Sequence, residues 1–261
     1  MNEKAAELDY EEIVPSSQIG IVQLQELLPQ VGAQLLKTLA RSTSALEWGD
    51  RSRDVVPSNG SVFFVDTGKA LIAITARHVY EAYCQCAEQN SRVTCQIDSM
   101  RFNPRERLIS LGSGCDLATF DLKAAELTKL GKTTVPWPPV IPDRERIVLF
   151  AGVPGATKKS PAPGYVDLGF YTAFAKVDSV NDRDISSVIP SNEMLVDVLG
   201  KGLPPPGYDL GGLSGGPVAV LLESVGILHW ALSGVIYECG SSFQILKAAR
   251  ADSISADGAI A

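Results

Sequence analysis

Long apolar runs are missing from this chain, and so is any concentration of positive charge. No stretch of the 261 residues is apolar enough for long enough to cross a bilayer as a helix. Acidic residues outnumber basic ones, 30 against 23, for a net charge of −7. A nucleic-acid binder carries a basic stripe, but Lys158-Lys159 is an isolated pair, and Arg101, Arg105 and Arg107 are interrupted by Glu106. Neither a membrane nor a nucleic acid is therefore an expected partner. Histidine is nearly absent, with His78 and His229 alone. Cysteines are few and odd in number: Cys84, Cys86, Cys95, Cys115 and Cys239. That count, and a Cys84-Gln-Cys86 spacing too tight for easy mutual bridging, reads as free thiols in a reducing compartment. The opening Met-Asn-Glu-Lys-Ala-Ala-Glu-Leu-Asp-Tyr-Glu-Glu has no apolar segment of the kind a secretory signal needs, so the expected location is cytoplasmic. Zinc sites space their cysteines more widely and need further ligands, so the thiols are expected as small buried hydrophobes. Gly152-Val-Pro-Gly155-Ala-Thr-Lys158 lacks the spacing of a phosphate loop. No metal or cofactor is expected.

What is present describes an ordinary globular β protein. Hydrophobic residues make up 45% and charged residues 20%, and the many glycines and prolines favour tight turns between short strands. Residues 1–15 form an acidic arm. From Ser17 to about Leu46, apolar residues recur at three- and four-residue steps (Leu24, Leu27, Leu28, Val31, Leu35, Leu36, Leu39), which suggests an amphipathic helix broken near Pro29 and Gly32. From Val55 the texture becomes β. Ser61–Val65 and Ala70–Thr75 read as strands around the turn Asp66-Thr-Gly-Lys69. Further strands are expected at 92–97, 107–111 and 116–122, then a Pro-rich crossing near Pro136-Trp-Pro-Pro139. A second set follows at 146–152, 165–178, 194–199, 217–222, 229–238 and 243–247, ending in a short helical tail. The expected divisions are an N-terminal arm and helical extension (1–54), a first barrel (55–125), a connection (126–145) and a second barrel with the tail (146–261).

Three short stretches carry reactive groups. They are Thr75-Ala-Arg-His78, Cys115-Asp116-Leu-Ala-Thr-Phe120, and Gly211-Gly-Leu-Ser214-Gly-Gly-Pro217, the last just after Pro204-Pro-Pro-Gly-Tyr208-Asp209. Acyl transfer needs a hydroxyl, a base to take its proton, and a carboxylate to hold the base in the right tautomer. It also needs backbone N–H groups aimed at the developing oxyanion, which glycine's backbone freedom makes possible.

These stretches resemble the Thr-Ala-x-His, Asp-Leu-Ala and Gly-x-Ser-Gly-Gly-Pro motifs of the trypsin-like serine peptidases, and they fall in that family's order. The resemblance covers about residues 58–250. It implies an all-β fold of two six-stranded antiparallel barrels, with His78 and Asp116 on the first and Ser214 on the second. It implies His78 as general base, Asp116 as its orienting acid, Ser214 as nucleophile, and the N–H groups of Gly212 and Ser214 as the oxyanion hole. Ser233-Gly-Val-Ile236-Tyr237-Glu238 looks like the strand against which such enzymes pair substrate backbone by β-augmentation. Two departures bear on specificity. Leu213 stands where activated digestive enzymes carry an Asp, and Tyr208 stands where trypsin has the Asp at the base of its specificity pocket, so a preference for Arg or Lys is not expected. Asp209 and Glu238 are further candidates to line a pocket.

Gly212-Leu-Ser214-Gly-Gly also satisfies the Gly-x-Ser-x-Gly of α/β-hydrolases. That fold needs its histidine well after the serine, and the one later histidine, His229, lies too close and within an expected strand. For the acid, Asp98 and Asp121 compete with Asp116, but neither precedes Leu-Ala. The expected activity is thus serine endopeptidase on a peptide or protein substrate. The alternative is a latent or inactive peptidase-like binding module that docks, or is activated by, a regulatory protein partner.

Overall fold

A computed structural model gives the fold and describes residues 32–52, 56–155, 159–162, 165–167, 169–189, 210–224, 227–240 and 245–261. Most of the expected helical extension, the strand expected at 194–199, and Tyr208 and Asp209 lie outside the described residues. What remains of the extension is helix α1 (Ala33–Arg41), which buries Leu36, Leu39 and Ala40. It stops at Ser42 and Thr43, whose hydroxyls turn back to donate to the Leu39 carbonyl at 2.9 Å each, a competing bond that helps end a helix. The chain then enters strand β1 (Thr43–Asp50). Leu46, expected at the end of the helix, lies fully buried in this strand. The first β unit therefore begins at Thr43 and not at 55. Burial on both faces of β1 blurred the alternation that marks a strand.

Six further strands complete the first unit: β2 (Ser58–Asp66), β3 (Leu71–Thr75), β4 (Val93–Ile97), β5 (Met100–Arg101), β6 (Leu108–Leu111) and β7 (Ala118–Asp121). They form one curled sheet in the order β5-β4-β1-β2-β3-β7-β6. The expected hairpin is present, with Phe63 opposite Ile74 and Asp66 opposite Leu71. Helices interrupt the sheet where β texture was expected throughout: α2 (Arg77–Gln89) follows β3, and α3 (Pro104–Arg107) precedes β6. The expected connection opens with helix α4 (Ala124–Leu130), in which the Glu126 carboxylate accepts from the Lys123 N–H at 2.8 Å.

The second unit is a closed barrel. Its strands are β8 (Ile147–Gly152), β11 (Tyr171–Val180), β12 (Asp184–Val188), β13 (Pro217–Ser224), β14 (Ile227–Gly240) and β15 (Ile245–Arg250). Their order is β11-β12-β15-β14-β13-β8, and β8 pairs with β11 to close the ring. A separate hairpin, β9 (Lys159–Ala162) with β10 (Tyr165–Asp167), stands outside it. The helical tail reduces to a single 3-10 turn, Ala251–Ser253.

Three apolar clusters hold this together. One fills the first unit around Phe64 and Phe120, and one fills the barrel around Phe150 and Leu213. The third joins the units, bringing Phe63 and Ile74 from the sheet against Leu149, Phe174 and Leu232 from the barrel, with Leu36 and Leu39 of α1 inserted. The tail also crosses back to the sheet. Ala256 and Gly258 offer carbonyls to Thr67 Oγ1 at 2.5 Å and Thr119 Oγ1 at 2.6 Å, and the Ile260 N–H donates to Ser110 Oγ at 3.1 Å.

Candidate active site

The site lies where the two units meet. β3 ends at Thr75, and the chain turns directly into α2 with Ala76 at the N-cap, a residue with no side chain able to cap. The missing cap comes from a different loop. Asp116 Oδ1 accepts the His78 N–H at 2.9 Å, while Asp116 Oδ2 lies 2.6 Å from His78 Nδ1. One carboxylate thus both starts the helix and holds the ring on it. The loop carrying Asp116 is fixed in turn. Arg77 Nη1 donates to the Gly112 carbonyl at 2.8 Å, and Arg183 from the barrel reaches the Gly114 carbonyl at 3.3 Å. Leu117, the next residue, is fully buried and anchors the loop in the core joining the units. His78 stays accessible, its side chain 47% exposed against 28% for Asp116.

Burial pushes the Asp116 carboxyl up, but the bond from the His78 ring, the backbone N–H groups of His78 and Arg77 and the His78 charge together hold it below the usual carboxylate range. A carboxylate depressed in the fold stabilises the protein above its unfolded pKa, about 3.9 for Asp, and that contribution vanishes as pH falls through the native value. Asp116→Asn is therefore expected to melt lower than the parent at pH 6, with the gap narrowing as the pH drops below about 4. Thermal melts over a pH series measure this, and a gap that stays constant would remove Asp116 as the source.

The rival acids are engaged elsewhere. Asp98 accepts from Ser44 Oγ at 2.9 Å and from the Ala45 N–H at 3.1 Å, and Asp121 pairs with Arg107 at 2.9 Å. His229 sits inside β14 opposite Leu222.

Ser214 lies in the turn before β13. Its carbonyl accepts the Ser61 N–H of β2 at 2.7 Å. A Cβ built on Gly60 would touch both Val79, the neighbour of His78, and the Ser214 carbonyl, so β2 places the loop of Ser214 beside the start of α2. The Ser214 hydroxyl donates to the Tyr237 carbonyl at 3.3 Å, and among the described residues it makes no hydrogen bond to His78. The N–H groups of this loop fall into two sets. Those of Leu213, Gly215 and Gly216 are bonded to Leu210, Ile236 and Leu213 carbonyls, whereas among the described residues those of Gly212 and Ser214 have no acceptor. Gly212 has φ +100, a conformation open to glycine and strained for other residues.

The candidate substrate strand fares unevenly. Ile236 is a correction: its side chain is fully buried, its N–H donates to Gly216 and its carbonyl accepts from Gly215, so its backbone is already spent. Pairing of β13 with β14 begins only at Pro217 opposite Val235, which leaves Tyr237 and Glu238 beyond the end of β13. Glu238 pairs with Lys247 across β14 and β15 at 2.8 Å. The Tyr237 hydroxyl is pushed up to about 12, by burial first and then by the nearby carboxylates of Asp184, Glu238 and Asp116. Asp184, at the start of β12, was not marked by any sequence motif.

All five cysteines are free thiols. Cys95 is buried, and burial raises its pKa; burial likewise raises Cys115, the neighbour of Asp116, and Cys239, the latter to about 12. Among the described residues no cluster of His, Cys, Asp and Glu is arranged to hold a metal, and no helix is long and apolar enough to cross a membrane.

No protein-family model matches the chain, and no curated protein matches it in sequence. Among solved structures it is similar to the active form of the Rv3671c protease from M. tuberculosis, at 13% identity and TM-score 0.47 over 86% of this chain and 81% of that one. A catalytically inactive tobacco etch virus protease complexed with substrate is 11% identical, at TM-score 0.42 over 80% and 78% of the two chains. A Glu endopeptidase in complex with MPD is 11% identical, at TM-score 0.43 over 81% and 85%. Likenesses this distant give no residue a role. The strand order is what describes the chain: a closed six-stranded barrel packed against a seven-stranded sheet, an all-β fold of two units.

Proposed function

We propose that this chain is a serine endopeptidase. His78 accepts the Ser214 proton as the hydroxyl attacks a peptide carbonyl, and Asp116 holds the imidazole with Nδ1 protonated so that Nε2 is the base. The oxyanion of the tetrahedral intermediate sits on the Gly212 and Ser214 N–H groups. The imidazolium then protonates the leaving amine, the C–N bond breaks, and water attacks the acyl-enzyme with His78 again as base. The Gly212 and Ser214 N–H groups carry this reading: both residues are partly exposed and, among the described residues, neither N–H is bonded, so both are open to an incoming oxyanion.

Before attack the Ser214 hydroxyl has to leave the Tyr237 carbonyl and turn to His78, a side-chain rotation of the kind that substrate binding completes. Substrate backbone pairs along β14 at Tyr237 and Glu238, beyond the end of β13. The domain division proposed places the base and its acid on residues 43–125 and the nucleophile on 146–261.

The bond from Ser214 to Tyr237 also favours a second reading, a latent module that a protein partner activates. Labelling with a fluorophosphonate separates the two. The peptidase is expected to label at Ser214 alone, with labelling lost in Ser214→Ala and reduced in His78→Ala. Absence of labelling under every condition would favour the latent module.

A further inference from the structure

The loop that carries Ser214 is held in place by side chains from the opposite β unit. Ser61, fully buried on β2, anchors it at several points. Its N–H donates to the Ser214 carbonyl at 2.7 Å. Its hydroxyl donates to the Gly212 carbonyl at 2.8 Å and accepts from the Val153 N–H at 2.8 Å. Asn59, two residues earlier and so on the same face of the strand, donates from Nδ2 to the Val153 carbonyl at 2.7 Å. The turn after β8 thus fixed passes the constraint on, because the Gly155 N–H donates to the Gly211 carbonyl at 2.6 Å.

These bonds act on the peptide planes that matter. A trans peptide points its N–H opposite its carbonyl. Tying the Gly211 carbonyl to Gly155 therefore turns the Gly212 N–H the other way, and tying the Leu213 carbonyl to Gly216 does the same for the Ser214 N–H. Between those planes, the Gly212 carbonyl is held by Ser61 alone among the described residues. Without that bond the 212–213 peptide keeps only its Leu213 N–H to Leu210 carbonyl bond, and the coupling between the two donors is loosened. A Cβ built on Gly212 would crowd the Val153 carbonyl at 2.7 Å and Asn59 Nδ2 at 2.9 Å, so Asn59 also packs directly against the loop.

We propose that Ser61 and Asn59 are positioning residues that set the oxyanion hole from across the interface between the units. This rests on the peptidase reading above, and it deepens that reading by naming what orients the donors. Neither residue touches the reacting atoms. Both act through Val153, Gly155 and Gly212.

The test uses the full chain as parent, Ser61→Ala and Asn59→Asp, the last keeping the shape of the side chain while replacing its donor. Two readouts are taken on protein shown to be folded by its melting transition. The first is fluorophosphonate labelling over a range of probe concentrations. The maximal labelling rate is expected to fall about 10- to 100-fold, since a displacement of about 1 Å at a reacting site costs on that order, while the half-saturating concentration changes less than about 3-fold. A residue that merely supports the fold would lower the labelled fraction and leave the rate of the folded molecules unchanged. The second is amide hydrogen exchange of residues 210–216, expected to quicken at least about tenfold relative to β3, as loss of a local anchor permits local opening. If the parent labels and neither readout moves in either variant, the proposal is overturned and the peptidase reading stands. If the parent does not label, the peptidase reading fails, and unchanged exchange at 210–216 overturns the latch as well. Quickened exchange in that case still supports a latch on the loop. Should Ser61→Ala fail to fold, Asn59→Asp decides.

Discussion

Ser214→Ala is expected to lower peptide hydrolysis by about 10⁴-fold or more, His78→Ala by a similar factor, and the double variant by no more than either alone. The shared ceiling follows from the chemistry: a hydroxyl without its base and a base without its hydroxyl are equally unable to form the acyl-enzyme. What survives is the contribution of the Gly212 and Ser214 N–H groups and of substrate positioning, which act on a water-mediated reaction as well. The measurement is the initial rate of cleavage of a peptide library, with products followed by mass so that the substrate need not be known beforehand. Losses that multiply in the double variant would mean that the two side chains work separately, and the assignment of His78 as the base for Ser214 would fall.

The largest structural effect is expected at Gly215. It has φ +90, and a Cβ there would overlap the Ser61 carbonyl and Thr75 Oγ1, which are themselves joined by a 2.6 Å hydrogen bond. Neither partner has room to retreat, because Ser61 and Thr75 are both fully buried. Gly215→Ala is expected to cost more than about 4 kcal/mol, which is the range of buried overlap combined with backbone strain. Gly68→Ala isolates the strain, since that glycine has φ +79 and nothing within 4 Å of a built Cβ. Its expected cost is about 1–2 kcal/mol. Denaturant titration of the two variants measures the difference. Equal costs would show that the loop relaxes around an added methyl and that the packing behind Ser214 is looser than described.

Part of the fold was legible in the sequence, and glycine density and a four-residue context mark Ser214 and His78 locally as candidates. Asp116 was harder, since a lone Asp before Leu-Ala is a weak signal. It became distinct only when Asp98 was found on Ser44 and Ala45, and Asp121 on Arg107. Strand β1 was hidden because both of its faces are buried, which erases the period-two pattern. Helix α2 was hidden for another reason: its N-cap is Ala76, and the group that caps it, Asp116, lies 38 residues beyond His78, whose N–H it accepts. Ile236 looked available because a strand's side-chain pattern does not reveal which backbone groups are already bonded. Asn59 and Ser61 left no trace at all. Their partners stand 94 and 151 residues further along, and a polar residue in a strand looks the same whether it meets water or a distant carbonyl.

The tail after β15 has a bearing on the order of assembly. The first unit is encoded early, yet Thr67 and Thr119 meet Ala256 and Gly258, separated from them by 189 and 139 residues. A nascent chain emerging from the ribosome can pair β1 through β7 long before those carbonyls exist, and until then one side of its curled sheet faces water or whatever else is near. Ile72, which packs close to Gly258, is part of that side. The first unit is thus completed only after residues 256–258 have been made, so His78 and Asp116 wait until then in an incompletely walled unit. A chain assembled in that order acquires a firm candidate site only once its segment beyond β15 has been made.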